Sequence, residues 1–322
     1  MHFINKVQKI VNSLRIFAFD YKKDLIFSTL IKDKRTDREM LLSSIVVAAH
    51  TLEKGLTMPK KRFPFGEVKA KMIADDCIEY VKRHYDISDA RYIDVIAILS
   101  EYRDTHVSHG IDVGFISEKV DYLINSLTHE VYEKQRYSVN VDEYFSNSVE
   151  RFDIFSNSRH SCRNLTGHID DAILQSALAL SMNTPSTCNR QSHRVHLLQS
   201  EDAKKMILTI QTGCRGFGDL ADQFILVTSD LRCWPSEDQR HGPYVDGGIY
   251  LMNLLYCLHH NKIGACTLNM YLDKKRTIKL HHQLNISENE VPIALIAIGI
   301  PPKQFDLARS HRRSISDIVT IH

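Results

Sequence analysis

The amino-acid sequence predicts an α+β protein with a mainly helical N-terminal region. Over residues 1–148, apolar residues recur at helical spacing, and no segment alternates between apolar and polar residues as a strand does. Over residues 149–322, short apolar runs typical of buried strands alternate with longer helical patterns. We therefore expect a helical region over 1–148 and a domain over 149–322 in which strands pack against helices.

Size and composition leave most soluble functions open. The chain has 322 residues, of which 43% are hydrophobic and 25% charged, so one or two domains with a sizeable core are expected. The net charge of +2 gives no single-sign field for nucleic acid. Seven cysteines without a C-x-x-C pair, and a lysine-rich start instead of a signal peptide, predict reduced thiols in the cytoplasm. The longest apolar runs are shorter than a membrane helix.

The first predicted helix, from residue 1 to about residue 30, is amphipathic and basic. Such a helix can lie on a membrane surface, but we favour a role in covering a core or a partner subunit. A charged linker over 32–39 precedes a helix over Leu41–Leu52, for which Gly55 is the predicted C-cap. The nearby side chains of His50, Glu53 and Lys54 form either a functional cluster or ordinary charge pairs at a helix end.

The remaining elements follow from periodicity and turn residues. A turn at Phe63-Pro64-Phe65-Gly66 offers two aromatic rings for docking. The predicted helices that follow are 68–85, 92–106, 118–132, 169–182 and 246–260, the last opened by Asp246-Gly247-Gly248. The predicted strands are 193–198, 224–228, 264–268 and 291–299.

Arg159, Ser161 and Arg163 form the most distinctive chemical pattern. Alternate residues of an extended segment point the same way, so these three side chains would converge on one ligand. Arginine presents a fixed fork of donors that matches phosphate or carboxylate oxygens, and a serine hydroxyl adds a third donor. The alternative is a solvated basic loop.

Three further segments carry weaker signals. The loop Pro185–Gln191 offers donors and acceptors that could match a flavin's pyrimidine edge, although it also reads as a helix-ending loop. The small residues of Gly264–Asn269 would let backbone approach a ring, and alternatively form a tight helix-to-strand connection. The basic segment Arg309–Arg313 could complete an anion site or be a solvated tail.

Taken together, these motifs resemble the FMN-dependent nitroreductase family over just over half the chain. The N-terminal extension with Glu-Lys-Gly-Leu is similar to that of long members, some of which are associated with surface-polysaccharide gene clusters. The matching stretches are Ser-Arg-His-Ser-Cys-Arg (158–163), Pro-Ser-Thr-Cys-Asn-Arg-Gln (185–191), Val-Asp-Gly-Gly-Ile-Tyr-Leu-Met-Asn-Leu-Leu (245–255), Ile-Gly-Ala-Cys (263–266), Ile-Ala-Ile-Gly-Ile-Pro (296–301) and Arg-Arg-Ser-Ile-Ser-Asp-Ile-Val (312–319).

The resemblance implies a homodimer with FMN at the subunit interface, a mixed central sheet flanked by helices, and NADH or NADPH as electron donor. Arg159 and Ser161 would hold the phosphate and ribityl chain, and Arg163 would lie near the pyrimidine end. Pro185, Ser186 and Thr187 would come from the partner subunit, and the backbone near Leu268 and Asn269 would approach the flavin N5. The full expected cofactor-binding set is Arg159, His160, Ser161, Arg163, Pro185, Ser186, Thr187, Asn189, Arg215, Leu268, Asn269, Arg312 and Arg313.

The sequence also departs from the family pattern. Ser192-His193 stands where many members have Pro-Trp, and Ser310 stands where a lysine is common. The insertion after the strand at Phe224 is short, so Trp234 either covers the flavin ring or is a packing residue. No ligand spacing for a metal is present, and no nucleotide-binding or hydrolase motif appears.

The leading prediction is therefore an FMN-dependent oxidoreductase that uses a reduced nicotinamide to reduce a second small-molecule substrate. The alternative is an FMN- or ligand-binding accessory protein without turnover in polysaccharide assembly.

Overall fold

A computed structural model describes residues 2–27, 33–127, 135–234 and 239–322. Within these ranges the chain divides into two compact units. The first consists of Met1–Thr57, Lys61–Tyr137 and Ala308–His322, and the second of Met58–Lys60 and Ser138–Leu307. The predicted division at residue 148, between a helical region and a flavin domain, stays a prediction.

The first unit is built from helices, as predicted. Helix α1 (His2–Phe27) is followed by α2 (Arg38–Leu56), α3 (Glu67–Lys82), α4 (Ala90–Ser108) and α5 (Gly114–Ser126). Helices α2 to α5 share one apolar core, in which Tyr80 and Tyr92 stack with their ring centroids 4.7 Å apart. The predicted end of α5, at residue 132, lies outside the described residues.

Helix α1 exposes an apolar stripe along its length. Val7, Ile10, Leu14, Phe17 and Tyr21 recur at alternating spacings of three and four, and each is between 44% and 64% exposed. A stripe at this spacing is the pattern by which one helix packs on another apolar surface. The predicted role in covering a core or a partner subunit, and the alternative of lying on a membrane surface, stay predictions. No helix in the described ranges has the length and apolar character needed to cross a bilayer.

Gly55 was predicted to cap α2 in a left-handed conformation, and this prediction is wrong. The helix continues to Leu56, and Thr57 is its C-cap. A Cβ atom on Gly55 would lie 2.4 Å from the ring of Phe65, so the residue must be small for Phe65 to pack there. Phe65 also contacts Tyr102 and His106, so its ring is part of the core and not free for docking.

The second unit is organised around a four-stranded sheet. Its strands are β2 (His193–Leu198), β3 (Gln223–Asp230), β4 (Gly264–Asn269) and β5 (Glu290–Gly299), in the order β2-β3-β5-β4. Every residue of β3 is buried, as its continuous apolar run requires. A separate two-stranded sheet pairs β1 (Arg136–Asn140) with β6 (Gln304–Ala308), neither of which was predicted.

The α+β class is confirmed, but the sheet is not mixed as expected. All pairings of this four-stranded sheet in the described residues are antiparallel. The reason lies in the strand order. Strands β3 and β4, which a helix connects, run in the same direction, but β5 lies between them and is antiparallel to both.

The helices of the second unit cover and extend this sheet. They are α6 (Val141–Phe145), α7 (Phe152–Ser158), α8 (Asp171–Ser181), α9 (Glu201–Ile210), α10 (Gly242–His260) and α11 (Lys274–Leu284). Helix α10 starts at Gly242 with Pro243 in its first turn, four residues before the predicted start at Asp246. Leu174 of α8, Leu254 of α10 and Ile296 of β5 belong to the same buried core.

Candidate functional site

The segment Arg159–Arg163 runs beside the edge of the sheet. It begins where α7 ends, and its first residue is extended, with φ −76° and ψ 118°. The Cys162 N–H donates to the carbonyl of Ala265 in β4 at 2.9 Å. Because β4 is the outermost strand of its sheet, this contact places the segment Arg159–Arg163 beside the predicted Gly264–Asn269 segment.

Two arginine side chains in this segment each have a buried Nε atom without a hydrogen-bond partner in the described residues. Arg163 is only 5% exposed, and its Nε is buried without a hydrogen-bond partner in the described ranges. The buried Nε of Arg159 is unpartnered in the same sense. Neither arginine forms an ion pair with an acid in the part of the chain that the structure describes. A buried charge without compensation is costly, so this arrangement favours binding of an anion. It argues against the alternative of a solvated basic loop for Arg163.

Neighbouring side chains fix the backbone of the segment. The Tyr144 hydroxyl donates to the His160 carbonyl at 2.8 Å, and the His160 ring Nδ1 lies 3.1 Å from the Ser158 carbonyl. Ser158 Oγ donates to the Phe155 carbonyl and lies 2.8 Å from His259 Nε2. The His160 imidazole is thus held by local contacts, and its expected role in cofactor binding stays a prediction.

His259 is a buried neutral base behind the segment. Burial, followed by the charges of Arg159 and His160, lowers its pKa to about 4. The neutral ring therefore donates from Nε2 to Ser158, because the Ser158 proton is engaged by the Phe155 carbonyl. Sequence reasoning missed this residue, because it assigned His259 only to the predicted helix over 246–260. The structure finds no cluster of three metal-ligand side chains in the described residues.

The loop Pro185–Gln191 uses most of its polar side chains to hold its own shape. Both the N–H and the hydroxyl of Thr187 donate to the carboxylate of Asp246, at 2.9 and 2.8 Å. Ser186 Oγ accepts from the Gln191 N–H at 3.0 Å. Asn189 has φ of 55°, in the left-handed region that asparagine tolerates better than most residues, and accepts from the Gln191 side chain. The predicted flavin contacts of this loop stay predictions.

Asp246 is a second residue that sequence reasoning did not assign to the site. It is buried in the first turns of α10 and makes two contacts to Thr187. The stretch Val-Asp-Gly-Gly contained the signal, but we used it only as a helix start and as part of a matching stretch, without a role for Asp246. A buried carboxylate needs donors, and a loop rich in short hydroxyl residues supplies them.

The opposite end of the β4 edge is fixed by Gln211. Its side-chain amide donates to the Asn269 carbonyl and accepts from the Gly213 N–H. In an antiparallel strand, alternate residues turn their backbone groups to the same side. Because the Ala265 carbonyl faces Cys162, the backbone groups of Thr267 and Asn269 face that same open edge. Arg159–Arg163 and Gln211 therefore contact the two ends of an edge about 13 Å long.

Three other predicted residues are exposed, and two of them belong to the first unit. Arg215 is exposed in the turn that follows Gly213. Arg312 and Arg313 belong to the first unit, where both are exposed and Arg313 donates to the Asp317 carbonyl at 3.1 Å. Their expected contribution to the anion site stays a prediction. Trp234 packs against Gly242, where a Cβ would lie 2.0 Å from its ring, so the packing explanation holds.

Comparison with solved structures finds proteins of the nitroreductase family. A candidate NAD(P)H:FMN oxidoreductase of Staphylococcus epidermidis is 16% identical, with 54% of this chain and 97% of that chain covered and a TM-score of 0.48. A candidate nitroreductase of Exiguobacterium sibiricum in complex with FMN is 16% identical, with 55% and 97% covered and a TM-score of 0.47. One from Desulfovibrio desulfuricans, also in complex with FMN, is 23% identical, with 51% and 92% covered and a TM-score of 0.44.

The sequence comparisons are negative. No protein-family model matches the chain, and no curated protein matches it.

Proposed function

We propose that this protein is an FMN-dependent oxidoreductase of the nitroreductase type. The observation that carries the proposal is the pair of buried, unpartnered Nε atoms on Arg159 and Arg163, on a segment bonded to an open sheet edge. These residues fit FMN, because the cofactor offers a phosphate and an electron-rich ring edge to positively charged donors. The six matching stretches of sequence support the same cofactor.

The proposed roles are those that the resemblance to the nitroreductase family implies. Arg159 and Ser161 hold the phosphate and ribityl chain by charge-assisted and neutral hydrogen bonds. Arg163 lies toward the pyrimidine end, where a positive charge stabilises negative charge on the ring and raises its reduction potential. The Asn269 backbone faces the open edge near the reacting end of the ring, and Gln211 fixes its orientation.

FMN, when bound, supplies two-electron redox chemistry between a reduced nicotinamide and a second substrate. The protein contributes position and electrostatics. His259 stays neutral and holds Ser158, so it adds no positive charge behind Arg159.

A second copy of the chain is the proposed partner. Helix α10 exposes Val245, Ile249 and Met252 at spacings of four and three, so they form one apolar face. Leu180 on α8, which packs against α10, is also 41% exposed. Monomeric proteins seldom expose contiguous apolar surface of this kind, which supports a homodimer. Ile249→Asp should convert it to a monomer in size-exclusion chromatography with light scattering, while unchanged mass would contradict this interface.

The decisive experiment uses the purified full-length protein with FMN. We expect a yellow protein whose absorbance bleaches when NADH or NADPH is added under nitrogen. Colour without bleaching would favour the accessory protein without turnover, and a colourless protein that ignores added FMN would contradict both flavin hypotheses. For variants of Arg159 and Arg163, Arg151→Ala is the matched control. This arginine precedes the same segment, but its side chain is 79% exposed and paired with Asp153.

A further inference from the structure

Two motifs of the sequence meet in the first unit. Glu53 of α2 is buried, and its Oε1 accepts from both the N–H and the hydroxyl of Ser310, at 3.1 and 3.0 Å. Its Oε2 lies 2.8 Å from His50 Nδ1. The Glu53 carboxylate thus joins the His50–Lys54 cluster to the Arg309–Arg313 segment, which the sequence analysis considered separately. The explanation of Arg309–Arg313 as a purely solvated tail does not hold at Ser310.

The contact fixes Ser310 in an unusual backbone conformation. Its φ is 46°, in the left-handed region that a serine seldom adopts. Burial opposes ionisation of Glu53, but the donors from His50 and Ser310 lower its pKa below the ordinary value. Glu53 is therefore a charged, fully engaged anchor for the chain end at Ser310.

Beside this anchor lies a cavity of about 400 Å³. One wall is apolar and comes from Val46 of α2 together with Val95 and Ile98 of α4. Its polar groups include Asp94 and His311, on the side of the chain end. A concave, mainly apolar space with a few convergent polar groups is the usual form of a small-molecule site.

The charges around the cavity are satisfied except at one carboxylate. The Arg91 guanidinium is engaged by Glu39 and by Asp89, the latter at 2.9 Å. Asp94, in contrast, forms no hydrogen bond within the described residues; its side chain is 28% exposed, and its one ion-pair contact in those residues is to His311, whose Nε2 lies 3.9 Å away. Burial raises the pKa of Asp94; the neighbouring His311 opposes this shift, and the charge of Glu53 adds to it. The cavity therefore contains a carboxylate that lacks donors.

We propose that this cavity binds a small organic cation that carries a primary ammonium group on an apolar body. The ammonium group pairs with Asp94, and the apolar body lies against Val46, Val95 and Ile98. The ammonium group supplies the donors that Asp94 lacks, and the apolar wall matches a short alkyl or similar chain. The cavity is not suited to a metal ion, since the described residues place no three ligand side chains together. The proposal is independent of the flavin site.

Calorimetric titration of the full-length protein tests this proposal, with hexylammonium as the probe and 1-hexanol and hexanoate as matched compounds. We expect saturable binding of hexylammonium, at least about tenfold tighter than hexanol, because the charge-assisted contact distinguishes them. Binding of hexanol at equal strength would reduce the site to an apolar cavity. Tighter binding of hexanoate would assign the site to anions held by His50 and His311. Either result, or no saturable binding, would overturn the proposal.

The variant Asp94→Asn separates binding from folding. It should weaken hexylammonium binding at least about tenfold, while the thermal midpoint of the unliganded protein stays equal or rises. The rise is expected because the raised pKa means that the folded state disfavours the carboxylate charge near neutral pH. Asp104→Asn is the control, since this residue lies on the same helix, is 63% exposed and pairs with Arg103. Equal hexylammonium affinity in Asp94→Asn and Asp104→Asn would refute the role of Asp94.

Discussion

Replacement of Arg163 by methionine separates a ligand-binding arginine from a structural one. The side chain is 5% exposed, its Nε has no partner in the described ranges, and methionine fills a similar volume without the charge. In the protein without FMN, loss of an uncompensated buried charge should leave the free energy of unfolding unchanged or raise it. With FMN, the variant loses a charge-assisted contact that contributes about 1.5–3 kcal/mol, and the dissociation constant should rise about 10- to 150-fold.

The assay is a fluorescence titration of FMN together with urea unfolding, with and without the cofactor. Wild-type protein at FMN concentrations near a hundred times its dissociation constant should gain about 2.7 kcal/mol of stability, and the variant much less at the same concentration. Arg151→Met, at an exposed position just before α7, should change neither quantity. An Arg163→Met protein that is destabilised by about 2 kcal/mol without FMN, but binds FMN normally, would show that Arg163 serves the fold and would refute the reasoning.

Three further predictions concern the same unit. Arg159→Ala should weaken FMN retention about tenfold or more, measured by ultrafiltration of the folded protein, because it removes the proposed phosphate contact; normal retention would contradict that role. Gly299→Ala should lower the free energy of unfolding by about 1–3 kcal/mol, seen as a lower urea midpoint with an unchanged slope, since a Cβ there would lie 2.5 Å from the Leu165 carbonyl oxygen; wild-type stability would show that the segment can shift freely. The pKa of His259 is lowered to about 4, whereas the unfolded chain binds this proton near pH 6.5, so stability is complete above that pH and is lost as the pH falls toward 4. This group should make the wild-type protein about 2 kcal/mol less stable at pH 5 than at pH 7, and His259→Phe should remove that difference; an equal pH dependence in both proteins would disprove the assignment.

The sequence predicted the elements whose patterns are strong. The strand His193–Leu198 has the predicted bounds, and α8 (Asp171–Ser181) lies within the predicted helix over 169–182. Helix α11 escaped prediction because only Leu280 in it is buried, so its apolar period is too weak to detect. Strands β1 and β6 escaped because their pairing joins segments about 160 residues apart, and neither alternates clearly by itself.

In the candidate site, too, residues determined by local sequence could be predicted, and residues that act over long sequence separations could not. Arg159, Ser161 and Arg163 could be chosen from the sequence because a local extended segment determines their common direction. Gln211 and Asp246 could not, because each acts on residues about 60 positions away: Gln211 on the Asn269 carbonyl and Asp246 on Thr187. Contacts of this kind depend on how helices and strands pack, and no spacing rule within one segment contains that information.

Glycine positions show the same dependence on tertiary contacts. Gly55 follows a helical pattern and was predicted as a cap, yet the structure uses its missing side chain to admit the ring of Phe65. Gly264 and Gly299 likewise leave room for Leu165, which follows the arginine segment along the chain. At both of these glycines the small residue is a condition for bringing the arginine segment against the edge of β4. The position of the buried guanidiniums, and with it the proposed cofactor site, therefore depends on residues that carry no chemistry of their own.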